Sequence, residues 1–416
     1  MEVIADLHVH SKYSRAVSQQ MVISEIASWA KKKGIELVAT ADWTHPLWLR
    51  ELKDNLIEAG EGLYRYKEEP TDILFLLVTE ISSIYSQKGK GHRIHNLVFA
   101  PNFETVEKIN RKLRDCGVRL LSDGRPITGL SSIELCELVF SISHDCFVIP
   151  AHVWSPWYSL YGSRSGFDSI KECFGQFSGQ IFAIETGLSS SPDMNWRVEE
   201  LDSRSIVSFS DAHSLQKLGR EATVFEIEDT KILRYEDIKI AIREQKIAYT
   251  IEFYPQEGKY HYTGHRNCEV KQSPEETKKL GSICPVCGKP LTVGVMHRVE
   301  ELASRPADYQ PENRPPYKML VPLMEILSEV LGAGVSSQMV QTEYNHLTER
   351  FESEFSVLLE TDPLEIAKIA GEKVAQGIKK VREGDIVVDP GYDGVFGTVK
   401  IWGEKEKEEK KQMSLF

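Results

Sequence analysis

Eight short runs rich in valine, isoleucine and phenylalanine recur between residues 3 and 227, in alternation with longer stretches of helical period up to about residue 250. This alternation constrains the fold more than any other feature, because it is the pattern of parallel strands joined through helical crossovers. The strand runs are 3–9, 36–41, 73–79, 94–100, 147–151, 181–184, 206–210 and 222–227. The helical stretches are 18–33, 105–115, 131–143 and 235–244, and Ser131 and Glu134 have the spacing of a capping box. Seven or eight such units in about 250 residues is the size of a TIM-like barrel, so the expected class is α/β, a distorted (β/α)7 barrel over residues 1–250.

The pattern changes beyond residue 250. Residues 251–304 are rich in turn formers and hold three of the seven cysteines, which predicts a separate small module. Residues 306–316, poor in apolar side chains and rich in proline, read as a linker. Helical spacing over 319–331, 338–359 and 363–382 then predicts a mostly helical domain within 305–402, closed by a Gly-rich strand-like piece at 384–402. Residues 403–416, of mixed charge, read as a flexible tail.

Composition narrows the setting. An odd number of cysteines and a start without a basic flank or apolar run point to a reducing cytoplasm. No stretch approaches the roughly 18 uninterrupted apolar residues that a bilayer requires. A net charge of -12 argues against a broad electrostatic grip on phosphates, so a nucleic-acid partner would need a locally basic surface.

The ligand-type side chains fall at strand ends. His8 and His10 close the first run, Asp42 the second, Glu80 the third, and His152 and the pair Asp211 and His213 close later ones, while His95 opens its own. Because strand side chains alternate, His8 with His10 and Asp211 with His213 each share a face, and Asp6 shares that of His8 and His10. A single His or Asp at a strand end is commonly a cap or a surface group. Eight at six strand ends, in a chain with 12 His, point instead to metal ions in the pocket where a barrel gathers its strand ends.

These residues occur in DLHVHS (6–11), ATADW (39–43), VTE (78–80), IHNLVFAP (94–101), PAHVW (150–154), IETG (184–187) and SDAHS (210–214), a set that resembles the PHP metallo-phosphoesterases. The resemblance implies a distorted barrel of about seven strand–helix units that hydrolyses phosphate esters with bridged metal ions. It implies His8, His10, Asp42, Glu80, His95, His152, Asp211 and His213 as ligands, Glu80 as the bridge, and Asp211 and Glu80 as central to catalysis. Trp43 stands where the family often has a histidine, as do Ser14 and Arg15, so two or three zinc, manganese or magnesium ions are expected. Arg220, just after the last motif, is a candidate phosphate clamp, since guanidinium forks onto phosphate oxygens.

His265, Cys268, Cys284 and Cys287 have the H-x2-C and C-x2-C spacing of a zinc ribbon holding one structural zinc, with His261 a rival for the histidine position. Residues 259–298 carry seven Lys or Arg and three Glu, a net +4 within an acidic chain. Trp154, Trp157, Tyr158 and Tyr161 follow His152 on one loop and could stack on an extruded base; Glu185, Asn195 and Trp196 form a second candidate wall.

With KYHYTGHRNC (259–268) and LGSICPVCGKPLTVGVMHRVEELA (280–303) added, nearly the whole chain is similar to the endonuclease Q family. That resemblance implies a DNA repair endonuclease, cytoplasmic and nucleoid-associated. It would nick the phosphodiester 5′ to hypoxanthine, uracil or xanthine, or to an abasic site, in double- or single-stranded DNA, and leave a 3′-hydroxyl and a 5′-phosphate. The last five residues, with Gln412, Leu415 and Phe416, resemble the peptide by which bacterial proteins bind the replication sliding clamp. Two other readings are a small-molecule phosphatase of histidinol-phosphate type and a non-catalytic, clamp-tethered DNA-binding scaffold. The zinc ribbon and helical domain disfavour the first, and the complete ligand motifs disfavour the second.

Overall fold

The computed structural model describes residues 1–68, 72–228 and 232–403, so the proposed clamp peptide lies outside the described residues. The first part of the chain supplies β1 (Glu2–Asp6), β2 (Leu37–Ala39), β3 (Leu56–Gly60), β4 (Leu63–Tyr66), β5 (Leu74–Leu76), β6 (Val78–Gln87), β7 (Lys90–Phe99), β8 (Ile127–Thr128) and β9 (Phe147–Pro150). β10 (Ala183–Glu185), β11 (Ser205–Val207), β12 (Ala222–Glu226) and β13 (Ile247–Glu252) follow. The remainder carries β14 (Thr263–His265), β15 (Val270–Gln272), β16 (Tyr317–Met319), β17 (Val387–Asp389) and β18 (Thr398–Lys400).

The fold is mixed α/β, but the strands do not pair as one closed parallel ring. Among the described residues β16-β13-β12-β1-β2-β5-β4-β3 form one sheet, β8-β6-β7-β9 a second and β10-β11 a third. β1, β2 and β5 run parallel, as do β10 and β11, in keeping with the crossover pattern. β6, β7 and β9 are antiparallel, as is β12 beside β1. For β6 and β7 the cause is local: Lys88 and Gly89, both at positive φ, form a two-residue turn that folds β6 back onto β7 in a hairpin of two ten-residue strands. Seen as separate apolar runs, 73–79 and 94–100 gave no sign of that hairpin.

The helix Ser132–Ile142 starts with the expected capping box, Ser131 accepting from the Glu134 N–H and Glu134 from the Ser131 N–H. Farther on, three expectations change. The run 319–331 begins as strand β16, and its helix starts only at Leu323 after Pro322. The run 338–359 stops as an α-helix at Arg350, before a π-helical turn over Ser356–Glu360. The run 363–382 is two helices, Pro363–Ala370 and Glu372–Glu383, broken at Gly371, whose φ of 87° ends the first.

Residues 306–316 are not a free linker. Arg314 donates to the carbonyls of Leu201 and Arg204 and to Gln245, and β16 then pairs parallel with β13. The C-terminal helices are also tied to the sheet domain by Lys33 and Glu354, which meet at 2.6 Å and are almost fully buried. Glu354 further accepts from the Tyr344 hydroxyl and the Leu323 N–H. One apolar core runs from Val3 to Trp402, across the boundaries at 250 and 305.

Candidate active site

β1 ends at Asp6, and the next residues run alongside 210–213: His10 N–H donates to the Ala212 carbonyl and Ala212 N–H to the His8 carbonyl. This pairing joins the first and last sequence motifs. Asp6 holds the joint by accepting from Ser210 and from the Gly219 N–H; it is a buried brace and no ligand. Asp42, His152 and Asp211 have positive φ, as do Ala41 and Tyr158, a clustering of unfavourable backbone typical of functional sites. Gly187, at φ 55°, lets the chain close over His152, since a Cβ there would lie 2.4 Å from that of His152.

Two groups of ligand-type atoms result. His8, His10 and Asp211 form one, and Glu80, His95 and His152 the other. In the first, Asp211 Oδ1 lies 3.4 Å from His8 Nε2 and 3.0 Å from His10 Nε2. All three atoms are buried without a hydrogen-bond partner. Such orphaned nitrogen and oxygen atoms, converging on one point, are what a divalent cation would satisfy. Glu80 spans both groups: Oε2 lies 3.4 Å from His10 Nε2, and Oε1 lies 2.5 Å from His95 Nδ1 and 3.2 Å from His152 Nε2.

The outer nitrogens are held by carboxylates. Glu185 Oε1 is 2.9 Å from His8 Nδ1, and Asp42 Oδ1 is 3.1 Å from His10 Nδ1. This turns both Nε2 atoms inward. Burial disfavours charge on His8 and His10, but neighbouring carboxylates outweigh it and raise both pKa values well above the usual imidazole range. For Glu80 burial is likewise overcome, by His95 and Arg125, and its pKa is held well below the usual range.

The strand-end expectations therefore divide. His8, His10, Glu80, His95, His152 and Asp211 come together. Asp42 lies behind His10, its Oδ2 engaged by Ser11 and Ser14, so it orients a histidine and does not face the groups. His213 lies beside the His10 ring, its Nδ1 2.8 Å from the Asp211 carbonyl oxygen, outside both groups. Glu185 is fully buried, bonded to His8 and the His152 N–H, and is an orienting group, not a pocket wall.

The lesion-specific endonuclease PfuEndoQ from Pyrococcus furiosus superimposes with a TM-score of 0.85 at 33% identity, covering 100% of this chain and 99% of its own. This chain belongs to the endonuclease Q family. Another endonuclease Q structure, in complex with a 27-mer duplex substrate with an abasic lesion at the active site, gives a TM-score of 0.84 at 33% identity, covering 97% and 98% of the two chains. Protein YqxK of Bacillus subtilis is 29% identical over 96% of this chain and 99% of its own. Protein MJ0043 of Methanocaldococcus jannaschii is 34% identical over 276 residues, and this chain spans only 33% of its length. The MJ0043 C-terminal domain family matches residues 322–385.

In this endonuclease Q-family chain, a cavity of about 600 Å³ opens over the two groups. His95, His152, Asp211, Arg15 and Arg125 line it together with the aromatic side chains of Trp157, Tyr158, Tyr260 and Phe396. Arg125, not Arg220, is the guanidinium beside the groups, 3.2 Å from Glu80 Oε2. Arg220 lies over the Phe253 ring, with its Nε buried and unpartnered.

The expected aromatic wall is half correct. Trp157 and Tyr158 line the cavity, and Tyr158 lies 4.8 Å from the His95 ring. Trp154 and Tyr161 are fully buried, bonded to Asn195 and Glu200, so they shape the loop from below. Asn195 is buried with them, and Trp196 packs against Tyr317. Arg15, Arg125, Tyr260 and Phe396 were missed by the sequence reading, since none is a ligand-type residue or lies on the loop after His152.

His265, Cys268, Cys284 and Cys287 bring their ligand atoms within 4.8 Å of one another. Burial opposes a thiolate at Cys284, but the N–H groups of Cys287 and Val286 and the His265 side chain bring its pKa down to about 6, as suits a metal ligand. His261 is not in this group: it lines the cavity, and burial lowers its pKa to about 4. No helix among the described residues is long and apolar enough to cross a membrane.

Proposed function

We propose that this chain is a metal-dependent DNA repair endonuclease. Its reaction would be hydrolysis of the phosphodiester 5′ to a deaminated base (hypoxanthine, uracil or xanthine) or an abasic site, leaving a 3′-hydroxyl and a 5′-phosphate. The observation that carries this reading is Glu80, which reaches both His8–His10–Asp211 and His95–His152 beneath a cavity lined by both arginine and aromatic side chains. Divalent zinc, manganese or magnesium ions, when bound, supply an activated water and neutralise charge on the phosphate oxygens.

The chain's own groups do the rest. Asp42 and Glu185 hold His10 and His8 with Nε2 inward, and Ser159, 3.1 Å from His152 Nδ1, holds the third imidazole. Arg125 can turn from Glu80 to a phosphate oxygen at the cavity mouth. Trp157, Tyr158 and Tyr260 offer ring faces or edges to an extruded base. The two ligand groups support a PHP-type site in a distorted barrel, although Glu80 and His95 stand within β6 and β7 and not at their ends. The Cys–His group supports a structural zinc that orders residues 259–298, whose +4 charge would contact the duplex. The sequence Gln412 to Phe416 supports tethering to a sliding clamp.

Purified protein with manganese, magnesium or zinc is expected to nick a duplex carrying one deoxyinosine or one abasic site, on the 5′ side, and to leave the undamaged duplex intact. Asp211→Ala should abolish nicking. Full activity in that variant, or equal cleavage of undamaged DNA, would overturn the reading.

A further inference from the structure

The last described hairpin places an apolar side chain where a core has no use for it. Phe396 is 63% exposed, yet it lines the same cavity as His95, His152 and Asp211. It sits on the loop joining β17 to β18, next to Val395, also exposed. That loop is fastened backbone to backbone onto residues 256–262. Gly391 N–H donates to Gln256, Gly397 N–H to Glu257, Gly394 N–H to Lys259, and Tyr262 N–H to Gly391. The contact is too close for a side chain, since a Cβ at Gly397 would lie 2.2 Å from the Gln256 carbonyl oxygen. The backbone on either side of the exposed ring is therefore fixed in place. Lys259 Nζ sits 4.4 Å from its centroid, so a cation accompanies the ring to the cavity mouth.

Trp157 and Tyr260, packed edge to face at 5.2 Å, are less exposed and lie within the same cavity. They suit a base that has entered it. A prominent phenyl ring on a fixed loop suits the opposite task of filling the gap that the base leaves in the stack. We propose that Phe396 is that wedge: it enters the duplex where the target nucleotide has swung out, while Lys259 neutralises an adjoining phosphate. This rests on the endonuclease reading above and adds a specificity-determining residue to it.

The test compares wild type, Phe396→Ala and Phe396→Leu on one lesion presented in a duplex and in single-stranded DNA, with 2-aminopurine beside the lesion reporting unstacking. Only the duplex needs a wedge. The ratio of duplex to single-strand nicking is expected to fall about 10- to 100-fold in Phe396→Ala and to recover in part in Phe396→Leu, with the fluorescence rise on binding lost in Phe396→Ala. Equal losses on both substrates, or an unchanged ratio with the fluorescence rise retained, would overturn the wedge. A wild type that binds and raises the fluorescence but nicks neither substrate would overturn the endonuclease reading and leave the wedge standing.

Discussion

Asp42 and Glu185 do for His10 and His8 what no ligand can do for itself, fixing which imidazole nitrogen faces inward. Asp42→Asn keeps the shape and removes the charge, so metal affinity is expected to fall about 10- to 100-fold, measured by titrating metal-depleted protein. Unchanged affinity would show that charge on Asp42 is dispensable. Glu80→Gln should act differently, because one side chain reaches both groups: bound metal per chain should fall at both, read by elemental analysis. At this scale the sequence was legible wherever alternation fixes direction, as for His8 and His10. Asp42 read as a ligand because a strand-end carboxylate gives no sign that Ser11 and Ser14 already claim its second oxygen. Arg125 was invisible because it stands in a turn-rich stretch before the two-residue strand β8.

Elements were legible where local chemistry decides them. The Ser131 capping box is fixed within a few residues and forms as its sequence suggests, and the ligand atoms of His265, Cys268, Cys284 and Cys287 come within 4.8 Å of one another. Cys284→Ser should lower bound zinc by one equivalent while leaving the metal at Glu80 in place; unchanged metal content would refute the ribbon reading. The antiparallel hairpin of β6 and β7 depends on two residues, Lys88 and Gly89, within a long polar stretch, and apolar runs alone could not reveal it. Gly371 similarly divides one periodic run into two helices. Open space surrounds it, so Gly371→Ala should cost only the strained backbone, φ 87° with ψ 159°, about 1 to 3 kcal/mol in chemical denaturation. A neutral result would mean that the break is set by packing and not by conformation.

For the whole molecule, the divisions suggested by composition are continuous in three dimensions. Arg314, β16 and the buried Lys33–Glu354 pair bind the C-terminal helices to the sheet domain. Glu354→Ala would leave the Lys33 ammonium buried without its partner, at a cost of roughly 3–5 kcal/mol in urea denaturation. Unfolding is expected as one transition, and an early separate loss of the C-terminal helices would contradict that coupling. Composition could not show this, since an ion pair between residues 33 and 354 leaves no local pattern.

The pairing of β13 with β16 also bears on how the chain is made. β13 ends at Glu252, and the strand that covers its outer edge begins only at Tyr317. While the polypeptide emerges from the ribosome, that edge stands uncovered, its N–H and C=O groups open to neighbouring nascent chains. A gene fragment ending near residue 250 would preserve that hazard permanently, and is expected to yield aggregates where residues 1–416 give soluble protein.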